Sequence, residues 1–193
     1  MKKIKILSVF GTRPEAIKMA PLVRELASRD GFESLCCLTG QHREMLDSVM
    51  EIFALKADHD LNIMQKQQTL SSITTRTLLG MDAVLDAEQP DLVLVHGDTS
   101  TTFAGALAAF YHKVPVGHVE AGLRTFDPYS PFPEEMNRTL VGDIACLHFS
   151  PTAANAENLR AERVRGDIFI TGNTVFDAMK TTVRDEFTFA EPG

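Results

Sequence analysis

Apolar residues along the chain fall into two alternating patterns. Six runs are short, rich in β-branched and aliphatic residues, and uninterrupted: IKILSVF (4–10), ESLCCLT (33–39), DLVLVHG (91–97), VPVGHVE (114–120), ACLHFS (145–150) and DIFITG (167–172). Strands covered on both faces read this way, because neither side needs polar residues. Between them lie longer segments with helical spacing, at 14–29, 42–53, 69–88, 100–112, 133–144, 152–162 and 173–186. Strict alternation of the two patterns predicts an α/β fold with a doubly wound parallel sheet of the Rossmann-like kind. Pro21 is expected to kink or interrupt the first helix, and the stretch from Asp60 to Ile63 to add a short strand. No internal repeat or low-complexity linker divides the chain. The expected organisation is one Rossmann-like domain over 1–185, with 186–193 beginning a connection to a further unit.

Bulk properties narrow the function classes. With 193 residues, 44% of them hydrophobic, the chain can bury a sizeable core and is expected to be soluble. A net charge of -7, with no clustering of Lys and Arg, disfavours nucleic acid as a partner, since phosphate contacts need a basic face. The apolar part of MKKIKILSVF is too short for a signal peptide, and no segment reaches membrane-spanning length, so no membrane partner is expected. Cys36, Cys37 and Cys146 have neither zinc spacing nor an even count for a disulfide framework, and the expected location is the reducing cytoplasm.

In open α/β sheets ligands bind outside the carboxyl ends of the strands, so the strand-to-helix junctions hold the candidate chemistry. In GTRPEAIK (11–18), Gly11 permits a close turn, and Pro14 suits the start of a helix. Arg13 then lies beside the free N–H groups, with Lys18 on the same face. The set resembles an anion site, although an ordinary capped helix with solvated charges reads the same. Neither G-x-G-x-x-G nor a P-loop is present, so the sequence implies no NAD and no ATP. At the next two strand ends, His96 and Asp98, and His118 and Glu120, stand two apart, which within a strand puts each pair on one face. Three readings stay open for them: a divalent metal site, a pair of carboxylates working as general acid and base, or core histidines with acids that cap the following helices.

The fourth junction is SPFPEEMNR (130–138), a proline-bounded loop feeding a helix whose first turn Glu134 and Glu135 stabilise electrostatically. The stretch joining Glu120 to Glu134 carries Arg124 and Asp127 and is long for a βα connection, as loops that close over sites are. It offers a third carboxylate to face the first two. Crowded carboxylates raise one another's pKa, which keeps a proton on one of them near neutral pH.

FGTRPEAIKMAPL, QHREML, DLNIM, LVHGDTSTT, PVGHVEAGLRT, YSPFPEEMNR, HFSPT and ITGNTVFDA, in this order, closely resemble the non-hydrolysing UDP-N-acetylglucosamine 2-epimerases over nearly the whole chain. The resemblance implies an architecture of two Rossmann-like domains like that of the B-type glycosyltransferases. The active site would lie in the cleft between them, with this chain as the first. It implies reversible epimerisation of UDP-GlcNAc to UDP-ManNAc for surface polysaccharides, by anti elimination of UDP to 2-acetamidoglucal and re-addition, with no metal or other cofactor. By the same resemblance Asp98, Glu120 and Glu134 are the catalytic acids, while Arg13 and Lys18 bind the nucleotide; a second Rossmann-like domain and a second copy of the chain are the expected partners. In some members a second UDP-GlcNAc activates through the QHR segment and the stretch after DLNIM. The corresponding candidates here are Gln41, Glu44 and Gln67, the last two standing where regulated members carry Gln and Arg. Two alternatives accompany this reading: a half that binds sugar nucleotides without turnover, and a metal-dependent hydrolase built on His96, Asp98, His118 and Glu120.

Overall fold

A computed structural model describes residues 2–40, 43–65 and 67–183. The candidate regulatory residue Gln41 and the side chain of Glu44 lie outside the described residues, as does the connection expected at 186–193. The strands are β1 (Ile4–Phe10), β2 (Phe32–Leu38), β3 (His59–Asp60), β4 (Leu92–His96), β5 (Val116–Val119), β6 (Leu147–Ser150) and β7 (Asp167–Ile170). They alternate with α1 (Arg13–Ser28), α2 (Arg43–Ile52), α3 (Leu70–Glu88), α4 (Ser100–Tyr111), α5 (Glu134–Ile144), α6 (Ala153–Glu162) and α7 (Val175–Thr182). All seven strands pair in parallel in the order β3-β2-β1-β4-β5-β6-β7. The doubly wound parallel sheet is therefore as the apolar pattern predicts.

The period of two along β1 distributes its side chains to two cores. Ile6 and Phe10 pack with Met19, Ala20 and Val23 of α1, Val49 and Met50 of α2, and Ala178 of α7. Leu7 and Val9 pack on the opposite face with Met81, Val84 and Leu85 of α3, Ala106, Ala108 and Ala109 of α4, and Val141 of α5. Two details differ from expectation. Helix α1 runs unbroken through Pro21, because buried Met19, Ala20 and Val23 anchor it on both sides of the missing N–H. The extra strand is shorter and earlier than expected, His59–Asp60, paired with Cys37 and Leu38. Among the described residues no helix is long and apolar enough to cross a membrane.

From β1 the chain winds outward through β2 to β3, then returns to lay β4 on the free edge of β1. The winding reverses between β1 and β4, so the turns that leave these two strands open the crevice where ligands bind in such sheets.

Candidate active site at the switch point

The two crevice turns are joined by a buried carboxylate. Glu15, in the first turn of α1, accepts hydrogen bonds through Oε2 from the backbone N–H groups of Gly11 (2.8 Å) and Thr12 (2.7 Å). Its Oε1 accepts from the hydroxyls of Thr99 (2.7 Å) and Thr102 (2.9 Å), at the start of α4. Four donors thus converge on one side chain, and the β1–α1 and β4–α4 turns are fixed to each other. Gly11 is required here by space, since a Cβ would lie 1.7 Å from Thr39 Oγ1. The helix starts one residue earlier than the sequence suggests, at Arg13, with Pro14 second.

Glu120 ends β5 with φ of 62°, a left-handed conformation uncommon outside glycine, and such outliers concentrate at functional sites. Lys18 Nζ donates to both its oxygens, at 2.6 and 2.7 Å, and Asn173 Nδ2 donates to Oε1 at 2.7 Å. His96 Nε2 stands 3.4 Å from Oε2. Burial pushes the Glu120 carboxyl up, but His96, the Lys18 ammonium and the Asn173 amide together outweigh it, and its pKa lies below the usual value. Neither ring nitrogen of the buried His96 has a hydrogen-bond partner within the described residues. Burial holds its pKa down and opposes the attraction of Glu120 and Glu15 for the protonated ring.

The expected pairings of His96 with Asp98, and of His118 with Glu120, do not form. Gly97, at φ 67°, and Glu120 itself both turn in the left-handed region, which ends the alternation after His96 and after Val119. His96 therefore meets Glu120 across the sheet, while His118 is fully buried with Nε2 2.7 Å from the Gly97 carbonyl. Its pKa is pushed down to about 3, chiefly by burial, so the neutral ring donates through that nitrogen. With His118 so committed, the four residues do not converge as a metal-ligand set. Among the described residues no group of three or more His, Cys, Asp or Glu is arranged to hold a metal ion.

Asp98 is also relieved of the capping role that the sequence left open to it. Thr99 is the N-cap of α4, its hydroxyl accepting from Thr102 N at 3.1 Å. Asp98 instead pairs with Arg138 Nη2 at 2.6 Å, and its backbone carbonyl accepts from Asn137 Nδ2 at 2.9 Å. Burial raises its pKa; Arg138 opposes this, and Glu134 and Glu120 add to it. The like-charge crowding expected from sequence thus falls on Asp98. Asp98 and Glu134 line one cleft of about 360 Å³ with Thr12, Pro14, Thr99 and Asn137. Arg13 is exposed on the other side of Pro14, in a wider apolar groove of about 720 Å³ between α1, α2 and α7. Lys18 is held by Glu120.

The long loop is fastened by groups whose roles the sequence did not reveal. Glu135 Oε1 accepts from the backbone N–H groups of Thr125 (3.0 Å) and Phe126 (2.8 Å), beyond its expected electrostatic role at the start of α5. Arg124 reaches α6, donating from Nε and Nη2 to the two oxygens of Glu162 at 2.7 Å each. Asp127 Oδ1 accepts from Tyr129 N within the loop. Sequence reasoning thus missed Glu15, Asn137, Arg138 and Asn173. The signals present were the i, i+3 spacing of Glu135 and Arg138, and the place of Asn173 just after a strand end.

Comparison with known proteins gives the family. The profile of the UDP-N-acetylglucosamine 2-epimerase family matches residues 24–190. The chain is 60% identical to the UDP-N-acetylglucosamine 2-epimerase of Escherichia coli K12 over 184 residues, 95% of this chain and 49% of that protein. It is 58% identical to the Bacillus subtilis enzyme of the same name over 188 residues, 97% of this chain and 50% of the relative. The crystal structure of the Neisseria meningitidis UDP-GlcNAc 2-epimerase bound to UDP-GlcNAc superposes with a TM-score of 0.89 at 54% identity, over 92% of this chain and 48% of that one. The chain therefore spans about half the length of the relatives it matches. With a seven-stranded parallel sheet, a carboxylate-lined switch point and a family match over most of its length, this chain belongs to the UDP-N-acetylglucosamine 2-epimerase family.

Proposed function

We propose that this chain is the Rossmann-like first half (1–185) of an enzyme that interconverts UDP-GlcNAc and UDP-ManNAc, with 186–193 leading to a second Rossmann-like domain. The observation that carries the reading is the polarised pair of carboxylates at the crevice. Asp98 has its pKa raised by burial and by neighbouring acids, and Glu120 has its own lowered by His96, Lys18 and Asn173. Titratable groups pushed apart by their surroundings divide the acid and base roles. In this reading the ionised member accepts the C2 proton as the C1–O bond breaks and the bonding pair leaves with UDP. The other carboxyl, once it has taken a proton, supplies it to C2 on re-addition. Glu134 lines the same cleft as Asp98, and Arg13, whose guanidinium has no ion-pair partner among the described residues, offers it to the departing diphosphate at the mouth of α1. Lys18, committed to Glu120, reaches the nucleotide only by exchanging that partner. Neither nicotinamide nor metal chemistry enters these steps. A homodimer in the cytoplasm completes the proposal, and sedimentation reads its first part.

The test is proton NMR of UDP-GlcNAc in D₂O with this chain and the second half of the Bacillus subtilis relative, against each alone. Appearance of UDP-ManNAc with deuterium at C2 only when both are present is the expected result. Binding without exchange, in a mixture verified as folded, would replace the enzyme reading with that of a sugar-nucleotide-binding half.

A further inference from the structure

Glu120 is faced by Lys18 from α1, by His96 from the end of β4, by Asp98 from the turn before α4 and by Asn173 from the turn before α7. Asn173 is the one member that does not titrate and the one whose orientation is fixed at both ends. Its Oδ1 accepts from Val175 N at 3.0 Å, in the first turn of α7, so its Nδ2 must be the group that donates to Glu120 Oε1 at 2.7 Å. Lys18 spans both carboxylate oxygens, so Oε1 receives two donors, whereas Oε2 receives Lys18 and faces His96 at 3.4 Å. The carboxylate is thereby held in one rotation, with its two oxygens made unequal.

The geometry points to Asn173 as a positioning residue for Glu120, its amide saturating Oε1 from the side of α7 so that Oε2 is the oxygen that exchanges the proton. This role rests on the proposed epimerase chemistry, but its physical content can be read on the chain alone. A purely structural residue at 173 would only cap α7, and an aspartate caps a helix at least as well as an asparagine. Asn173→Asp therefore keeps the cap and the shape. It replaces the donor by a second carboxylate, which disfavours ionisation of Glu120.

The experiment has two arms. The first follows the Glu120 carboxyl carbon by ¹³C NMR in this chain, assigned by its loss in Glu120→Gln. Asn173→Asp should move the titration midpoint up by about one pH unit or more, a tenfold change in proton affinity. The second measures epimerisation by the chain with the second half from Bacillus subtilis. There kcat at pH 7 should fall about 10- to 100-fold, the scale of losing a hydrogen bond to a charged group, with KM within about threefold and the acid limb displaced upward. Asn173→Ala, which loses both hydrogen bonds, should lower the melting temperature at every pH, whereas Asn173→Asp should lower it near pH 7 and progressively less as the pH falls and the paired carboxylates take a proton. A variant Asn173→Asp that titrates and turns over like the parent would overturn the inference and leave a helix cap. A parent inactive in the second arm, with the Glu120 shift intact in the first, would sink the epimerase reading and not the placement of Glu120 by Asn173.

Discussion

Replacing Glu15 by alanine tests the claim that one carboxylate joins the two crevice turns. The backbone N–H groups of Gly11 and Thr12 are buried, and each has Glu15 Oε2 as its partner, at 2.8 and 2.7 Å. Stranding a buried donor costs about 1–3 kcal/mol. The hydroxyls add little, because Thr99 has Thr101 and Thr102 within 2.9 Å and Thr102 can turn its one proton to the His96 carbonyl, 2.6 Å away. The two amides together therefore predict a loss of about 2–6 kcal/mol, with about 4 as the central value. Glu15→Gln should lose only about 1 kcal/mol. Its carbonyl oxygen takes both backbone donors and its NH₂ faces hydroxyls that can accept, so charge assistance is what disappears. Urea unfolding followed by circular dichroism, with the slope against denaturant unchanged, measures both. In a chain of this size about 4 kcal/mol is also about 8–16 °C in melting temperature. The reasoning is refuted if alanine and glutamine cost the same, or if alanine costs under about 1 kcal/mol, because the stranded amides are the only term that separates them.

Three further outcomes are expected. His118 stays neutral when folded down to about pH 3 but titrates near 6.5 when unfolded, so the unfolded state binds the extra proton and stability falls as pH drops below 6.5. Between pH 7 and 5 this residue accounts for about 2 kcal/mol, and His118→Gln, which retains a donor for Gly97, should have a shallower acid limb by that amount in urea titrations; parallel limbs would refute it. Gly122→Ala places a Cβ 2.2 Å from the Asn155 backbone oxygen at φ 92°, and should lower stability by about 3 kcal/mol or more in the same assay; a change under about 0.5 kcal/mol would contradict the geometry. Arg138→Met removes the partner of Asp98 at 2.6 Å and of Glu135 at 3.3 Å. It should cost about 3 kcal/mol at pH 7 and less as the pH falls and Asp98 takes a proton, and a cost independent of pH would show that charge is not what Arg138 supplies.

The order and type of the elements were legible because six of the seven strands carry compact apolar runs separated by longer segments with helical spacing; β3, the polar pair His59–Asp60, is the exception. What could not be read was which residue meets which. Two strand ends turn in the left-handed region at Gly97 and Glu120, and a period-two rule carried past those points pairs His96 with Asp98 and His118 with Glu120, whereas Asp98 meets Arg138 and Glu120 meets His96. The unbroken passage of α1 through Pro21 is likewise a tertiary effect, supplied by neighbours the local pattern does not contain. Glu15 looked like an ordinary first-turn acid because its partners Thr99 and Thr102 lie 84 and 87 residues away. Asn173 obeyed the rule that strand ends carry function, but nothing around it in sequence marks an amide whose partner is at position 120.

The strand order also has a consequence for synthesis. β1 leaves the ribosome before the other six strands of this sheet and lies inside it, yet one of its two neighbours is β4, which begins at Leu92. At about 5–20 residues per second, β4 follows the end of β1 by about 4–16 seconds. For that interval the nascent chain carries Leu7 and Val9 without the β4 and α4 side chains that later cover them. A stretch this apolar, with one hydrogen-bonding edge open, is a natural binding site for a chaperone until Leu92 to His96 close it.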